Sequence, residues 1–187
     1  MKRALWWLRS ALFAVALCTL TYCAYVAADS WNFQRDNRRQ FDSMLTRNAR
    51  ANPLPPAASG VIGLLDSPRL GISVMVIEGA NSTALRRAAG HISGTALPGE
   101  KGNVGISAHR DTFFRPLRNI RQKDVITVNT LAGEYRYRVV STRIVSPNEV
   151  SVLDSTGTEI LTLVTCYPFY YVGAAPDRFI VRAERVI

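Results

Sequence analysis

Three side chains that can perform nucleophilic or acid–base chemistry stand at the ends of strand-like runs. Cys166 closes the run Leu161–Thr165, His109 ends the run 103–110, and Arg178 opens the final run of the chain. A thiol becomes a nucleophile as its thiolate, which needs a nearby cation or acid–base partner. An imidazole can protonate a leaving amine, and a guanidinium can donate to an oxygen that gains negative charge. Together they predict acyl transfer through a covalent cysteine intermediate.

Each of these residues taken alone also has an ordinary structural explanation. A cysteine at this position can be a small buried hydrophobe, a strand-end histidine is commonly structural, and an isolated arginine is commonly exposed. The combination favours chemistry because the other two cysteines, Cys18 and Cys23, lie in the apolar N-terminal segment. If the last two strands pair through the intervening loop, the guanidinium of Arg178 lies beside the Cys166 thiol.

The elements that must position these residues are short β-branched runs separated by Gly and Pro. A brief helix begins at Asn81 or Ser82 and is expected to stop at Gly90, and Leu131–Gly133 predicts a hairpin turn. We expect a mainly β fold, closed or nearly closed into a barrel because closure hides the sheet edges. The predicted strands cover residues 61–65, 71–79, 103–110, 124–130, 134–146, 159–166 and 178–187.

The N-terminus predicts a membrane segment. Lys2, Arg3 and Arg9 precede a stretch without charge from Ser10 to Ala28, long enough to cross a hydrocarbon layer of about 30 Å. Cations before the segment favour a cytoplasmic N-terminus and an exported remainder. The small residues at 26–28 leave a cleaved signal peptide as the alternative, although the length of the apolar run favours a retained anchor.

Three segments therefore make up the predicted domain organisation. Residues 1–28 form the anchor or signal segment, and residues 29–60 form a stalk that ends in a spacer. The first part of the stalk reads as a juxtamembrane helix or a partly ordered segment, and the Pro-rich run 51–60 reads as a stiff spacer. Residues 61–187 form the folded domain.

The charge balance is basic, with 23 Lys and Arg against 14 Asp and Glu and a formal net charge of +9. Such an excess suits an anionic surface or simply solubility. The cations are scattered rather than clustered, so a nucleic-acid partner is not expected. The group Arg110, Arg115, Arg118, Arg121 and Lys123 can face an anionic surface, although a solvated turn is the simpler interpretation.

Three linked motifs resemble the sortases, which are membrane-anchored cysteine transpeptidases. They are "GHISGTALPGEKGNVGISAHRD" ending near His109, "TLVTC" ending at Cys166, and "APDRFIVRAE" containing Arg178. The amino-acid sequence of these motifs is most similar to class D and related sortases of Gram-negative bacteria. The resemblance covers about residues 61–187 and implies a closed eight-stranded β-barrel with one or two short helices, preceded by a transmembrane helix.

What the resemblance implies about function is a transfer reaction at the cell surface. Cys166 would attack the Thr–Gly carbonyl of an LPxTG-like C-terminal sorting signal, and His109 would protonate the departing amine. Arg178 would stabilise the oxyanion, and Thr165 and Ala108 would contribute to substrate binding. An amine acceptor would then resolve the thioester. The partners implied are thus a substrate protein, an amine nucleophile and the cell membrane.

The resemblance implies neither a cofactor nor a metal. The acidic cluster that binds calcium in class A sortases is not found in the sequence, and a zinc site built from His91, His109, Asp111 and Cys166 has irregular spacing. His91 is expected to be structural or secondary. Among other enzymes, papain-like hydrolases place cysteine before histidine, and L,D-transpeptidases place their cysteine in a different sequence context. A non-catalytic sortase-like scaffold remains an alternative, disfavoured because it has no need for the three residues together.

Overall fold

The computed structural model describes residues 2–48 and 60–186. A long N-terminal helix, α1 (Lys2–Asn48), precedes a β domain that also contains one short helix, α2 (Ser82–Arg87). The strands are β1 (Val61–Ser67), β2 (Ile72–Glu78), β3 (Ala89–His91), β4 (Gly102–Ser107), β5 (Val125–Thr130), β6 (Gly133–Val145), β7 (Glu159–Tyr167) and β8 (Asp177–Val186). Three short 3₁₀ segments lie at Pro68–Leu70, Arg115–Asn119 and Val150–Leu153.

The strands close into a barrel in the order β1-β2-β3-β4-β7-β8-β6-β5 within the described residues. The pairs β2–β3 and β4–β7 are parallel, and the remaining neighbours are antiparallel. Closure satisfies the backbone groups that an open sheet would leave exposed at its edges. The predicted eight-stranded barrel with a preceding apolar helix is confirmed.

The region around Gly90 differs from the sequence prediction. The N-cap at Asn81 is confirmed, since its side chain accepts hydrogen bonds from the amides of Thr83 and Ala84, but the helix ends at Arg87. Gly90 is not a helix stop: it lies in β3, where an added Cβ would stand 2.3 Å from the carbonyl oxygen of Gly79. Glycine is required there because the two backbones approach too closely for a side chain.

The alternation along β7 and β8 decides which side chains reach the surface of the barrel. Leu161 and Leu163 of β7 and Val181 and Ala183 of β8 belong to the main buried core. Because successive side chains of a strand point to opposite faces, Cys166 lies on the outer face of the barrel. The core therefore supports the reactive strand ends from behind.

Helix α1 is long and apolar enough in its first part to cross a membrane, and its second part packs against the barrel. The Gln34 side chain donates to the carbonyl of Arg87 at 2.6 Å and accepts from the amide of Met75 at 2.9 Å. Phe41 is buried against Leu64 and Met75. Of the two stalk alternatives, the helix is therefore the one observed, and residues 51–59 of the predicted Pro-rich spacer lie outside the described residues.

Candidate active site

Cys166 and Arg178 are directly opposite each other in the antiparallel pair β7–β8. Side chains at such positions lie on the same face with Cβ atoms about 4.5–5.5 Å apart. Both residues are partly exposed, so a ligand on the outer face of the barrel has access to the sulfur and the guanidinium. The hairpin pairing inferred from the sequence brings these two residues together.

His109 follows the end of β4, the strand beside β7 on the other side. Ser107 pairs with Val164 in this parallel ladder, and the amide of Ala108 continues it by donating to the carbonyl of Val164 at 3.3 Å. His109 is two positions beyond Ser107 and Cys166 is two positions beyond Val164, so the same register, if continued, would bring them level. β4 ends at Ser107, so His109 lies in the turn after the strand, where its carbonyl accepts from the amide of Phe114 at 3.1 Å. The imidazole is half-exposed.

Thr165 and Ala108 link the ends of β7 and β4 beneath the surface that carries Cys166. The Thr165 hydroxyl donates to the carbonyl of Ala108 at 2.8 Å, and their exposed fractions are only 2% and 3%. Because both side chains lie beneath the surface, an effect on a ligand would have to pass through the backbone and the placement of the strand ends. Their substrate-binding role stays a prediction.

The loop between β7 and β8 is held at its far end by Arg178 itself. One guanidinium nitrogen, Nη1, donates to the carbonyl of Asp177 at 2.9 Å and to that of Ala175 at 3.3 Å. These bonds turn the guanidinium toward the loop that separates it from Cys166 in the sequence. The direction of Arg178 therefore depends on the conformation of this loop.

Arg110 holds the near end of the same loop, a function that the sequence did not reveal. Its exposed fraction is 6%, and its two terminal nitrogens donate to the carbonyls of Pro168, Tyr171 and Gly173 at 2.9, 2.7 and 3.0 Å. The expectation that Arg110 belongs to a solvated basic group is therefore wrong. A buried guanidinium is stable here because charge-assisted hydrogen bonds to carbonyls replace its hydration.

A small depression of about 70 Å³ lies on the outer face of the sheet, four strand positions away from the Cys166–Arg178 pair. Thr162 and Arg182 form its floor, and Val152, from the 3₁₀ segment before β7, forms one wall. These two floor residues pair with each other across β7 and β8 and share the face of Cys166 and Arg178. An extended peptide that reaches the sulfur can lie along this face.

The second histidine, His91, belongs to a different set of contacts from Cys166, Arg178 and His109. Its Nδ1 lies 2.7 Å from the carboxylate of Glu78, and its Nε2 lies 3.0 Å from the carbonyl of Ala96 and 3.1 Å from the hydroxyl of Thr95. With an exposed fraction of 2%, its ring is committed to the structure. Within residues 2–48 and 60–186, no three His, Cys, Asp or Glu side chains lie together as a metal site would require.

A family model described as the sortase domain matches residues 65–186. Sortase D of Bacillus subtilis (strain 168) is 34% identical over 132 residues, which are 70% of this chain and 67% of that protein. The chain belongs to the sortase family. It is similar to class D members in particular, and sortases are cysteine transpeptidases that act on protein substrates with sorting signals.

Solved structures show the same sortase fold. The Sortase D5 transpeptidase of Clostridium perfringens is 24% identical with a TM-score of 0.67, covering 85% of this chain and 99% of its own. Sortase C-1 from Actinomyces oris is 27% identical with a TM-score of 0.66, covering 76% of this sortase and 83% of its own chain. The predicted transpeptidase activity is therefore confirmed at the level of the family. The term transpeptidase describes the enzyme better than the term protease.

Proposed function

We propose that this sortase cleaves an LPxTG-like sorting signal between Thr and Gly, with Cys166 as nucleophile, His109 as general acid and Arg178 as oxyanion donor. The observation that supports it is the strand register, which pairs Cys166 with Arg178, while His109 follows the end of β4, the strand that pairs with β7 on the other side. These positions favour a site in which three residues that are distant in the sequence act together on one accessible face.

The first half of the proposed reaction forms a thioester. The Cys166 thiolate attacks the threonine carbonyl carbon, and the carbonyl electrons move to the oxygen, which accepts hydrogen bonds from Arg178. When the tetrahedral intermediate collapses, the C–N bond breaks and His109 gives its proton to the departing glycine amine. The substrate remains attached to the sulfur as an acyl-enzyme.

The second half transfers the acyl group. An acceptor amine attacks the thioester carbon, its proton passes to the now neutral imidazole, and the C–S bond breaks to return the thiolate and the imidazolium. The acceptor becomes joined to the substrate threonine by an amide bond. The imidazole regains from the acceptor amine the proton that it gave to the departing amine, and no atom changes oxidation state, so the reaction needs no redox partner.

Trapping of the thioester tests this proposal. The full-length enzyme is incubated with an LPxTG peptide and hydroxylamine, and mass spectrometry is used to look for the peptide hydroxamate that ends at threonine. A peptide with the same composition in scrambled order is the control. Hydroxamate at another position, or from both peptides equally, would overturn the proposed specificity.

We also propose that the enzyme is a single-pass membrane protein with its barrel on the extracytoplasmic side. The support is the uncharged segment Ser10–Ala28 after three cations, which lies in a helix that continues without interruption to the barrel. Mass spectrometry of membrane-extracted protein and protease digestion of spheroplasts test this arrangement. A mature start near Asp29, or a barrel protected from external protease, would contradict it.

A further inference from the structure

A cleft of about 540 Å³ lies between α1 and the barrel where the helix leaves its uncharged segment. The helix lines it with mostly apolar residues, among them Tyr22, Val26 and Trp31. The barrel contributes Arg86 from the last turn of α2, and Thr112 and Phe113 from the turn after His109. The cleft therefore has an apolar wall on one side and a single cationic group on the other.

If the uncharged segment spans the membrane, the cleft lies at the boundary between lipid headgroups and hydrocarbon. Tyr22 and Val26 belong to the uncharged stretch that ends at Ala28, and at 1.5 Å per residue Tyr22 lies about 10 Å before Asp29 along the helix axis. Phe113 and Arg86 share the cleft with these residues. The barrel thus reaches down beside the last turns of the segment that would lie in the membrane.

Specific side-chain contacts hold the barrel against α1 beside the cleft. The Arg87 guanidinium donates to both carboxylate oxygens of Asp29, at 2.7 and 3.1 Å, and Gln34 bonds the backbone on both sides, at Arg87 and Met75. Along α1, the contacts with the barrel begin at Asp29, directly after the uncharged segment. If α1 spans the membrane, the cleft must face the lipid.

The charge of the barrel side suits an anionic ligand. Arg86 is exposed, and within the described residues no carboxylate forms an ion pair with it, whereas the adjacent Arg87 is neutralised by Asp29. The chain from Thr112 to Lys123 carries four cations and no acidic residue, and Arg115 and Arg118 within it are exposed. A phosphate oxygen is the acceptor that a guanidinium binds with both directionality and charge.

We propose that this cleft binds an anionic phospholipid of the membrane in which α1 is anchored. The acyl chain would lie along Tyr22 and Val26, and the headgroup phosphate would accept hydrogen bonds from Arg86 and from the Thr112 hydroxyl. The inference rests on the proposed anchoring of α1. Because Thr112 and Phe113 belong to the turn that begins at His109, the bound lipid would also fix the barrel end that carries the imidazole.

Quenching of Trp31 by brominated lipid tests the proposal directly. The three tryptophans are Trp6, Trp7 and Trp31, so the full chain with Trp6→Phe and Trp7→Phe reports only from the cleft. It is reconstituted into nanodiscs that carry either brominated phosphatidylglycerol or brominated phosphatidylcholine at the same mole fraction. We expect several-fold stronger quenching by the anionic lipid, and Arg86→Gln should remove this preference.

Arg136→Gln is the matched control, since Arg136 is an exposed arginine of β6 whose nearest carboxylate is 3.9 Å away and it does not line the cleft. It makes the same charge change and should keep the preference. Equal quenching by both lipids, or an unchanged preference in Arg86→Gln, would overturn the proposal. Quenching by neither lipid would also overturn it and would indicate that protein, such as a second copy of α1, fills the cleft.

Two measurements on the same samples separate this result from the proposed function. Extraction with alkaline carbonate shows whether the chain is integral to the membrane, and peptide transfer shows whether the site is active. A chain that washes off refutes the anchoring. A chain that remains integral and active but shows no lipid preference refutes only the lipid site.

Discussion

His91 and His109 lie near each other in the barrel but in opposite surroundings. His91 pairs with Ile106 of β4, and His109 follows the end of that same strand. The His91 ring is buried with hydrogen bonds at both nitrogens. The His109 ring is half-exposed, and within the described residues no hydrogen bond to its ring is recorded. A fully bonded imidazole stabilises a fold, whereas one with free nitrogens is available to move a proton.

The same contrast applies to the residues around each histidine. Near His109 the reactive groups, Cys166 and Arg178, are half-exposed on an outer face. Near His91, Glu78 receives hydrogen bonds from the ring and from the Ser93 hydroxyl. We therefore expect substitutions in the rim region (His109, Cys166 and Arg178) to change rate, and those in the His91 network (His91, Glu78 and Ser93) to change stability.

Cys166→Ala should have the largest effect, because it removes the sulfur that we propose forms the thioester. No hydroxamate and no transferred product are expected, and the melting temperature should stay near that of wild type because the side chain is only partly buried. Turnover of a fluorescent sorting peptide and thermal unfolding are the measurements. Cys18→Ala, which removes a thiol of α1, is the control and should be fully active; activity in Cys166→Ala would show that another group is the nucleophile.

His109→Ala should rank next, since it removes the proposed proton donor of the leaving amine while leaving the sulfur in place. Loss of a general acid typically lowers kcat by about 10²–10⁴-fold. The comparison sharpens with His91→Phe, which should lower the free energy of unfolding by about 1–3 kcal/mol because it removes the hydrogen bonds of the buried ring to Glu78, Ala96 and Thr95, without changing kcat of the folded enzyme. The reverse pattern, with His91 setting the rate, would break the distinction between the two regions.

Arg178→Lys keeps the charge of the rim and removes the planar pair of donors. Loss of an oxyanion donor costs about 10²–10³-fold in kcat, and lysine cannot reproduce the bonds to the carbonyls of Ala175 and Asp177. Steady-state kinetics separate kcat from KM, and Arg136→Lys provides a matched control at an exposed position of β6. An unchanged kcat would make Arg178 a loop-holding residue only.

The part of the rim region that depends on local sequence pattern, the pairing of β7 with β8, could be predicted from the sequence. Alternation and turn residues placed β7 and β8, and the short connection between them made the pairing of Cys166 with Arg178 a natural prediction. The three-residue strand β3 was missed because it is too short to show a period of two. Its presence depends on the close contact of Gly90 with another part of the backbone.

The burial of Arg110 could not be predicted, because arginine is almost always exposed unless it is paired. Its acceptors are backbone carbonyls some sixty positions further along the chain, and a carbonyl leaves no residue-type signal. The adjacency of Arg110 to His109 is the one signal that the sequence offered. Only the fold shows that the histidine turn and the cysteine–arginine loop are joined by one side chain.

Arg110→Met tests whether the hydrogen bonds from Arg110 to the β7–β8 loop matter for rate as well as for stability. The three loop carbonyls would lose their donor, and a displaced rim should lower kcat by up to about 100-fold, the cost of a misplacement of about 1 Å. The pH profile of kcat should keep its shape, because Arg110 positions the reacting groups and exchanges no proton with substrate. Arg110→Lys should recover part of the rate; a lower melting temperature with unchanged kcat would assign Arg110 to the structure alone.

The smallest expected effect concerns Glu78, which is exposed but bonded to the buried ring of His91. Partial burial acts to raise the pKa of its carboxyl, but hydrogen bonds from Ser93 and His91 outweigh it, so the pKa lies below its usual value. A carboxyl with a lowered pKa in the folded state contributes stability above its unfolded pKa of about 4.3 and loses it as pH falls through the folded value.

Glu78→Gln removes this titration and therefore tests it. At neutral pH the variant should unfold at a lower temperature than wild type, and the difference should shrink as the pH falls below about 4.3. Peptide transfer at neutral pH should be retained, because Glu78 contacts His91 rather than the rim. A difference in melting temperature that does not change with pH would mean that the contribution of Glu78 is not electrostatic, and a loss of transfer would join the two histidine regions into one functional unit.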